Sequence, residues 1–223
     1  MNLIHTIYEP SGAGPHPTIL TLHGRGANAF DLLGLAPYIC NGKFLMICPQ
    51  GPLETPIGPG AVGYAWYPMS MGGPPDVGAI LSSRKKLQGF LDECLARYPV
   101  EAKKLVVLGF SQGGVMGHSL ALSNPERFAA LVVLSSWLPK ELIPELSISK
   151  EAVQSLPTLV QHGSQDQLIE LQRARDSVEQ LRELRVPLTY REYDMGHEIT
   201  PRGLADLSAW LEEKVLSPIV IAG

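Results

Sequence analysis

The chain has 223 residues, 45% of them hydrophobic and 18% charged, and a formal net charge of −4. That length and balance fit one domain, residues 1–223, with a core large enough to cover a sheet. The acidic balance and the lack of clustered Lys and Arg argue against nucleic acid as a partner, and give no reason to expect an anionic membrane surface.

In chain order, the first apolar run is 18–22, near-continuous as in a strand covered on both faces. It runs directly into His23-Gly24-Arg25-Gly26, a glycine-rich turn. A second run, 44–48, is another buried strand, with Cys48 in its core face. Residues 51–76 then break the pattern. They hold six glycines and six prolines together with Tyr64, Trp66, Tyr67, Met69 and Met71, and show no periodic segment. Long irregular stretches in compact domains often serve as lids or binding loops, so 51–76 is expected to be a lid or flap.

A helix is expected over 76–97, where Val77, Ile80, Leu81, Leu87, Phe90, Leu91, Cys94 and Leu95 recur at helical spacing. A strand follows at 105–108, then a helix from Gln112 to about Ser123. Further strands are expected at 130–134, 158–161 and, with weaker apolar character, 188–193. Helices are expected at 170–184 and at 201–216, where Pro201 suits a first helical turn. The stretch 139–156 is irregular, with room for a short helix. Alternating strands and helices define an α/β class with a mostly parallel sheet and helices on both faces. The chain has no internal repeat, low-complexity segment or separate cap domain.

The junction of strand 105–108 and helix 112–123 reads Gly109-Phe110-Ser111-Gln112-Gly113. Strand, G-x-S-x-G, helix is the context of a nucleophile elbow, in which a tight turn lifts the serine hydroxyl clear of the sheet. A serine there needs a base and an acid, and in this architecture the order is Ser, then Asp or Glu, then His. His197 follows the last expected strand. His5, His16 and His23 precede Ser111, His118 lies within the helix after it, and His162 precedes the acid. Asp166 lies beyond the end of strand 158–161, on the sheet edge where such sites gather. Its competitors are Asp194, expected to point back to its strand, and Glu170, explained by its place at a helix start. Two backbone donors complete an oxyanion hole: the N–H of Gln112, at a helix start, and that of Arg25, in the turn after strand 18–22. The Arg25 side chain is left between a polar part of the substrate and a surface carboxylate.

Trp66, Tyr67, Met69 and Met71 are expected to wall or cover an acyl site, since aromatic and thioether side chains suit an adaptable apolar surface; the alternative is that they pin the loop to the body. Trp137 and Leu168 fall on the same sheet edge and are further substrate-binding candidates. No metal or cofactor is expected. Cys40, Cys48 and Cys94 form an odd set in no metal-ligand spacing, which points to a cytoplasmic protein without a disulfide framework. The N-terminus lacks the pattern of a signal peptide, and no apolar run approaches the ~18 residues of a transmembrane helix. The mostly apolar tail, 217–223, is expected to pack on the domain or at a subunit contact.

Leu22-His-Gly-Arg-Gly-Ala-Asn28, Gly109-Phe-Ser-Gln-Gly-Gly114, His162-Gly-Ser-Gln-Asp166 and Gly196-His197 together resemble the phospholipase/carboxylesterase family of α/β-hydrolases, which includes acyl-protein thioesterases and small bacterial carboxylesterases. The resemblance spans nearly the whole chain. It implies an α/β-hydrolase fold of about eight strands, Ser111, Asp166 and His197 as a catalytic triad, and Arg25 and Gln112 as oxyanion donors. It also implies a small-molecule ester as substrate, and it is compatible with a homodimer. One departure stands out. Where the family carries Trp-Phe-Asp or a similar triplet, this chain reads Ala65-Trp66-Tyr67-Pro68, with no acid. The expected activity is hydrolysis of short- to medium-chain or aryl carboxylic esters; the alternative is a thioesterase or lysophospholipase acting on long acyl chains.

Overall fold

The computed structural model describes residues 3–69 and 73–217. Seven strands form the central sheet: β1 (His5–Tyr8), β2 (His16–Leu22), β3 (Leu45–Pro49), β6 (Val100–Phe110), β7 (Ala130–Leu134), β8 (Thr158–Gly163) and β9 (Leu188–Tyr193). Their spatial order is β1-β3-β2-β6-β7-β8-β9. All neighbours are parallel except β1, which pairs antiparallel with β3 at one edge. Among the described residues the central sheet thus has one strand fewer than the family resemblance implies. The edge strand β1 is half-buried throughout, so its sequence lacks the apolar run that marks a covered strand.

Alternate residues along the inner strands feed two cores. Leu20, Leu22, Val107, Leu131, Val133 and Val160 pack with α1 (Val77–Arg97), α2 (Gln112–Ser123) and α3 (Leu171–Glu183). Ile19, Met46, Val106, Leu108, Val132 and Leu159 pack on the other face, against a 3-10 segment at Leu33–Tyr38 and α4 (Pro201–Leu211). Burial on both faces is what the continuous apolar runs require. The starts of α1 and α4 are capped: Asp76 accepts from Ala79 N–H, and Thr200 accepts from Gly203 N–H just before Pro201. The last turn of the expected 201–216 helix continues as a π-helical segment, Glu212–Leu216. Two short 3-10 turns, Ile143–Glu145 and Ala152–Ser155, occupy the irregular stretch after β7.

The segment 51–76 departs from expectation. It holds an antiparallel hairpin, β4 (Leu53–Gly58) and β5 (Ala61–Ala65), turning at Gly60 with φ +69°. The hairpin is mostly exposed, so it has no buried apolar run to betray it. Cys40, Cys48 and Cys94 are all buried free thiols. Among the described residues, no helix is long and apolar enough to cross a membrane. Most of the apolar tail, 218–223, lies outside them.

Candidate active site

Five strand ends converge on one edge of the sheet: β2 leads into 23–28, β6 into Ser111, β7 into 135–137, β8 into Asp166 and β9 into His197. Ser111 has φ 53° and ψ −120°, a region that costs a residue with a Cβ on the order of 1–3 kcal/mol. Three hydrogen bonds hold it there. Its N–H donates to Leu134 O at 2.9 Å, and its carbonyl accepts from Gly114 N–H at 2.9 Å and from Ser136 Oγ at 2.5 Å. The motif glycines are dictated by close approach. A Cβ on Gly113 would lie 1.9 Å from Leu22 O, and one on Gly109 would lie 2.2 Å from Gly113 O.

Asp166 and His197, 31 residues apart, meet. His197 Nδ1–H donates to Asp166 Oδ2 at 2.8 Å, which leaves Nε2 as the free acceptor. The carboxylate is fully buried, and the imidazole is 15% exposed. Asp166 Oδ1 accepts from the N–H groups of Leu168 and Ile169, both at 2.9 Å. The charge is therefore held by three donors, as a buried carboxylate requires. The His197 ring packs against Phe110, the residue before Ser111, with centroids 4.9 Å apart. No hydrogen bond joins Ser111 Oγ to His197 Nε2; such bonds commonly tighten only with substrate bound. Asp194 and Glu170 are both exposed, and Glu170 occupies the cap of α3.

The Arg25 and Gln112 N–H groups donate to nothing among the described residues. Each is free to meet an oxygen at the site. The Arg25 guanidinium donates to Thr55 Oγ1 on β4 at 3.1 Å.

The apolar candidates separate. Trp66 and Tyr67 are 0% and 1% exposed, so they are core residues and not an open wall over an acyl chain. Polar backbone and indole groups at this position found buried partners: Trp66 N–H donates to Gln112 Oε1, Trp66 Nε1–H to His23 O, and Gln112 Nε2 to Tyr67 O. Met69 and Leu168 are 47% and 72% exposed. Trp137 is nearly buried under the Arg173 guanidinium, which lies 4.3 Å from its ring, beside a cavity of 260 Å³ lined also by Pro74, Pro75 and Leu138. Met71 lies outside the described residues.

Three further side chains support the site in roles that the motifs do not spell out. Ser136 grips the nucleophile's carbonyl. His162 is fully buried, and its Nε2–H donates to Ile169 O at 2.8 Å while lying 3.6 Å from Asp166 Oδ2. His23 donates from Nδ1 to Gly24 O and accepts Gly51 N–H at Nε2, so it is neutral, and burial lowers its pKa.

A mostly parallel sheet with a serine held at positive φ between strand and helix, and a hydrogen-bonded Asp–His pair on the same sheet edge, is the arrangement of an α/β-hydrolase. The chain belongs to the phospholipase/carboxylesterase family, whose profile matches residues 4–215. As a member of that family it is a carboxylic ester hydrolase. It is similar to a probable carboxylesterase SOBER1-like protein of Arabidopsis thaliana, 25% identical over 211 residues, covering 89% of this chain and 79% of the relative. It is 24% identical over 228 residues to acyl-protein thioesterase 1 of Mycosarcoma maydis, covering 92% of this chain and 94% of that one. Among solved structures, esterase PE8 superposes with a TM-score of 0.82 at 23% identity, over 95% of this chain and 99% of its own. The carboxylesterase of Bacillus cereus superposes with a TM-score of 0.80 at 19% identity, over 94% and 93%.

Proposed function

We propose that the protein hydrolyses short- to medium-chain or aryl carboxylic esters through an acyl-enzyme formed on Ser111. Ser111 Oγ attacks the ester carbonyl carbon and passes its proton to His197 Nε2. Asp166 holds the imidazole with Nδ1–H inward and stabilises the imidazolium. The tetrahedral oxygen takes hydrogen bonds from the Arg25 and Gln112 N–H groups. Collapse expels the alcohol, which leaves with the proton from His197. Water, deprotonated by the same nitrogen, then attacks the acyl carbon and releases the acid and free Ser111.

The observation that carries this reading is the 2.8 Å bond from His197 Nδ1 to a fully buried carboxylate, on the sheet edge that also carries the strained serine. The preference for small acyl groups is supported by the withdrawal of Trp66 and Tyr67 into the core, which leaves a modest apolar surface at Met69 and Leu168. Relatives named acyl-protein thioesterase favour the second reading, a long-chain acyl thioesterase or lysophospholipase.

A series of p-nitrophenyl esters from acetate to palmitate separates the two. Highest kcat/KM at about two to six carbons is expected, and a maximum at about twelve or more gives the second reading. Ser111→Ala is expected to lower turnover of every ester by at least about 10³-fold with an unchanged melting temperature. Retained activity removes Ser111 from the role.

A further inference from the structure

The hairpin expected to be a lid is stitched to both halves of the oxyanion hole. Residues 23–27 lie along β5 almost as a third strand: Gly26 N–H donates to Tyr64 O and Tyr64 N–H to Ala27 O, both at 2.8 Å. The approach is so close that a Cβ on Gly63 would fall 1.9 Å from Gly26 O. Just beyond β5, Trp66 spans the gap between the two donor segments. Its indole N–H donates to His23 O at 2.9 Å, and its ring lies 5.2 Å from the His23 ring, centroid to centroid. Its backbone N–H donates to Gln112 Oε1 at 2.7 Å, and the Gln112 carboxamide returns a bond from Nε2 to Tyr67 O at 2.8 Å. Behind it, Ser83 Oγ on α1 donates to Trp66 O. His23, Trp66, Tyr67, Ser83 and Gln112 are all buried.

The two free N–H groups, of Arg25 and Gln112, belong to segments that are far apart in sequence and leave different strands. Their separation decides whether one oxygen can take both bonds. Beyond the paired ends of β2 and β6, the Trp66 indole and the Gln112 side chain are each bonded across the junction. Buried bonds of this kind are costly to leave half made, because the abandoned carbonyl keeps its desolvation penalty.

We infer that Trp66 and the side chain of Gln112 are positioning residues for the oxyanion hole, and that the hairpin carrying Trp66 is a fixed brace. This rests on the proposed acyl-enzyme reading. It predicts that loss of the brace weakens binding of the tetrahedral oxygen and leaves binding of the planar ester nearly untouched, since only the former needs both donors at once.

The test replaces Trp66 by Phe and, separately, by β-(3-benzothienyl)alanine, which keeps the bicyclic shape and puts sulfur where the N–H stood. Gln112→Leu removes the other clamp. On p-nitrophenyl butyrate each is expected to lower kcat by about 10–100-fold with KM within about twofold. Affinity for a trifluoromethyl ketone, which forms a tetrahedral oxyanion on a serine, is expected to fall in step with kcat. The benzothienyl variant decides the matter if Trp66→Phe fails to fold. Wild-type kcat in that variant, or a rise in KM alone, overturns the inference. Ser111→Ala is assayed alongside: activity surviving there overturns the acyl-enzyme reading itself, whatever the Trp66 variants do.

Discussion

His162 shows how one side chain can matter to the chemistry without touching substrate. Its Nε2–H holds Ile169 O, and Ile169 N–H in turn holds Asp166 Oδ1. The loop that aims the carboxylate at His197 is therefore closed on a buried imidazole. His162→Phe fills similar space but abandons the Ile169 carbonyl. It is expected to lower kcat by about 10–100-fold through misplacement of Asp166, with KM little changed; steady-state kinetics on a neutral ester checks this, and a wild-type kcat contradicts it. The motif residues were legible because each stands just past a strand end in the order this architecture demands. For Trp66 and Tyr67 the sequence leaves wall and pin both open, for a physical reason. An aromatic pair in a glycine- and proline-rich stretch looks the same whether it faces out or in. What decides is Gln112, 46 residues on, whose carboxamide clasps both.

At the scale of elements, covered strands and amphipathic helices announced themselves, whereas the exposed hairpin β4–β5 and the half-buried β1 did not. Apolar runs report burial, and those three strands have little. Helix α2 carries a second lesson. It is buried from Gln112 to Leu122, and His118 within it is fully buried, with neither ring nitrogen hydrogen-bonded. Burial pushes that imidazole from its usual 6.5 down to about 3. The unfolded chain binds a proton there below about pH 6.5, and the folded one does not until near pH 3. The neutral ring's contribution to stability is therefore whole above pH 6.5 and is lost as pH falls, at up to about 1.4 kcal/mol per pH unit. His118→Leu is expected to flatten the fall of melting temperature between pH 7 and pH 5. Parallel curves for variant and wild type contradict the assignment.

Across the whole molecule, the sheet is the device that gathers the site. Parallel strands place every C-terminal end on one edge, so residues 23–27, 111–112, 135–137, 166 and 197 converge although the chain visits them over nearly its full length. That convergence was readable from strand order alone. The size of the acyl pocket was not, because it depends on which of the apolar side chains near that edge the core takes for itself. The central claim is that Ser111 is a nucleophile made reactive by His197. Labelling with a fluorophosphonate, read by intact mass and peptide mapping, tests it most directly. A single adduct on the Ser111 peptide is expected, absent in Ser111→Ala and formed at least about 10³-fold more slowly in His197→Ala. An adduct on another residue, or wild-type labelling in His197→Ala, contradicts it.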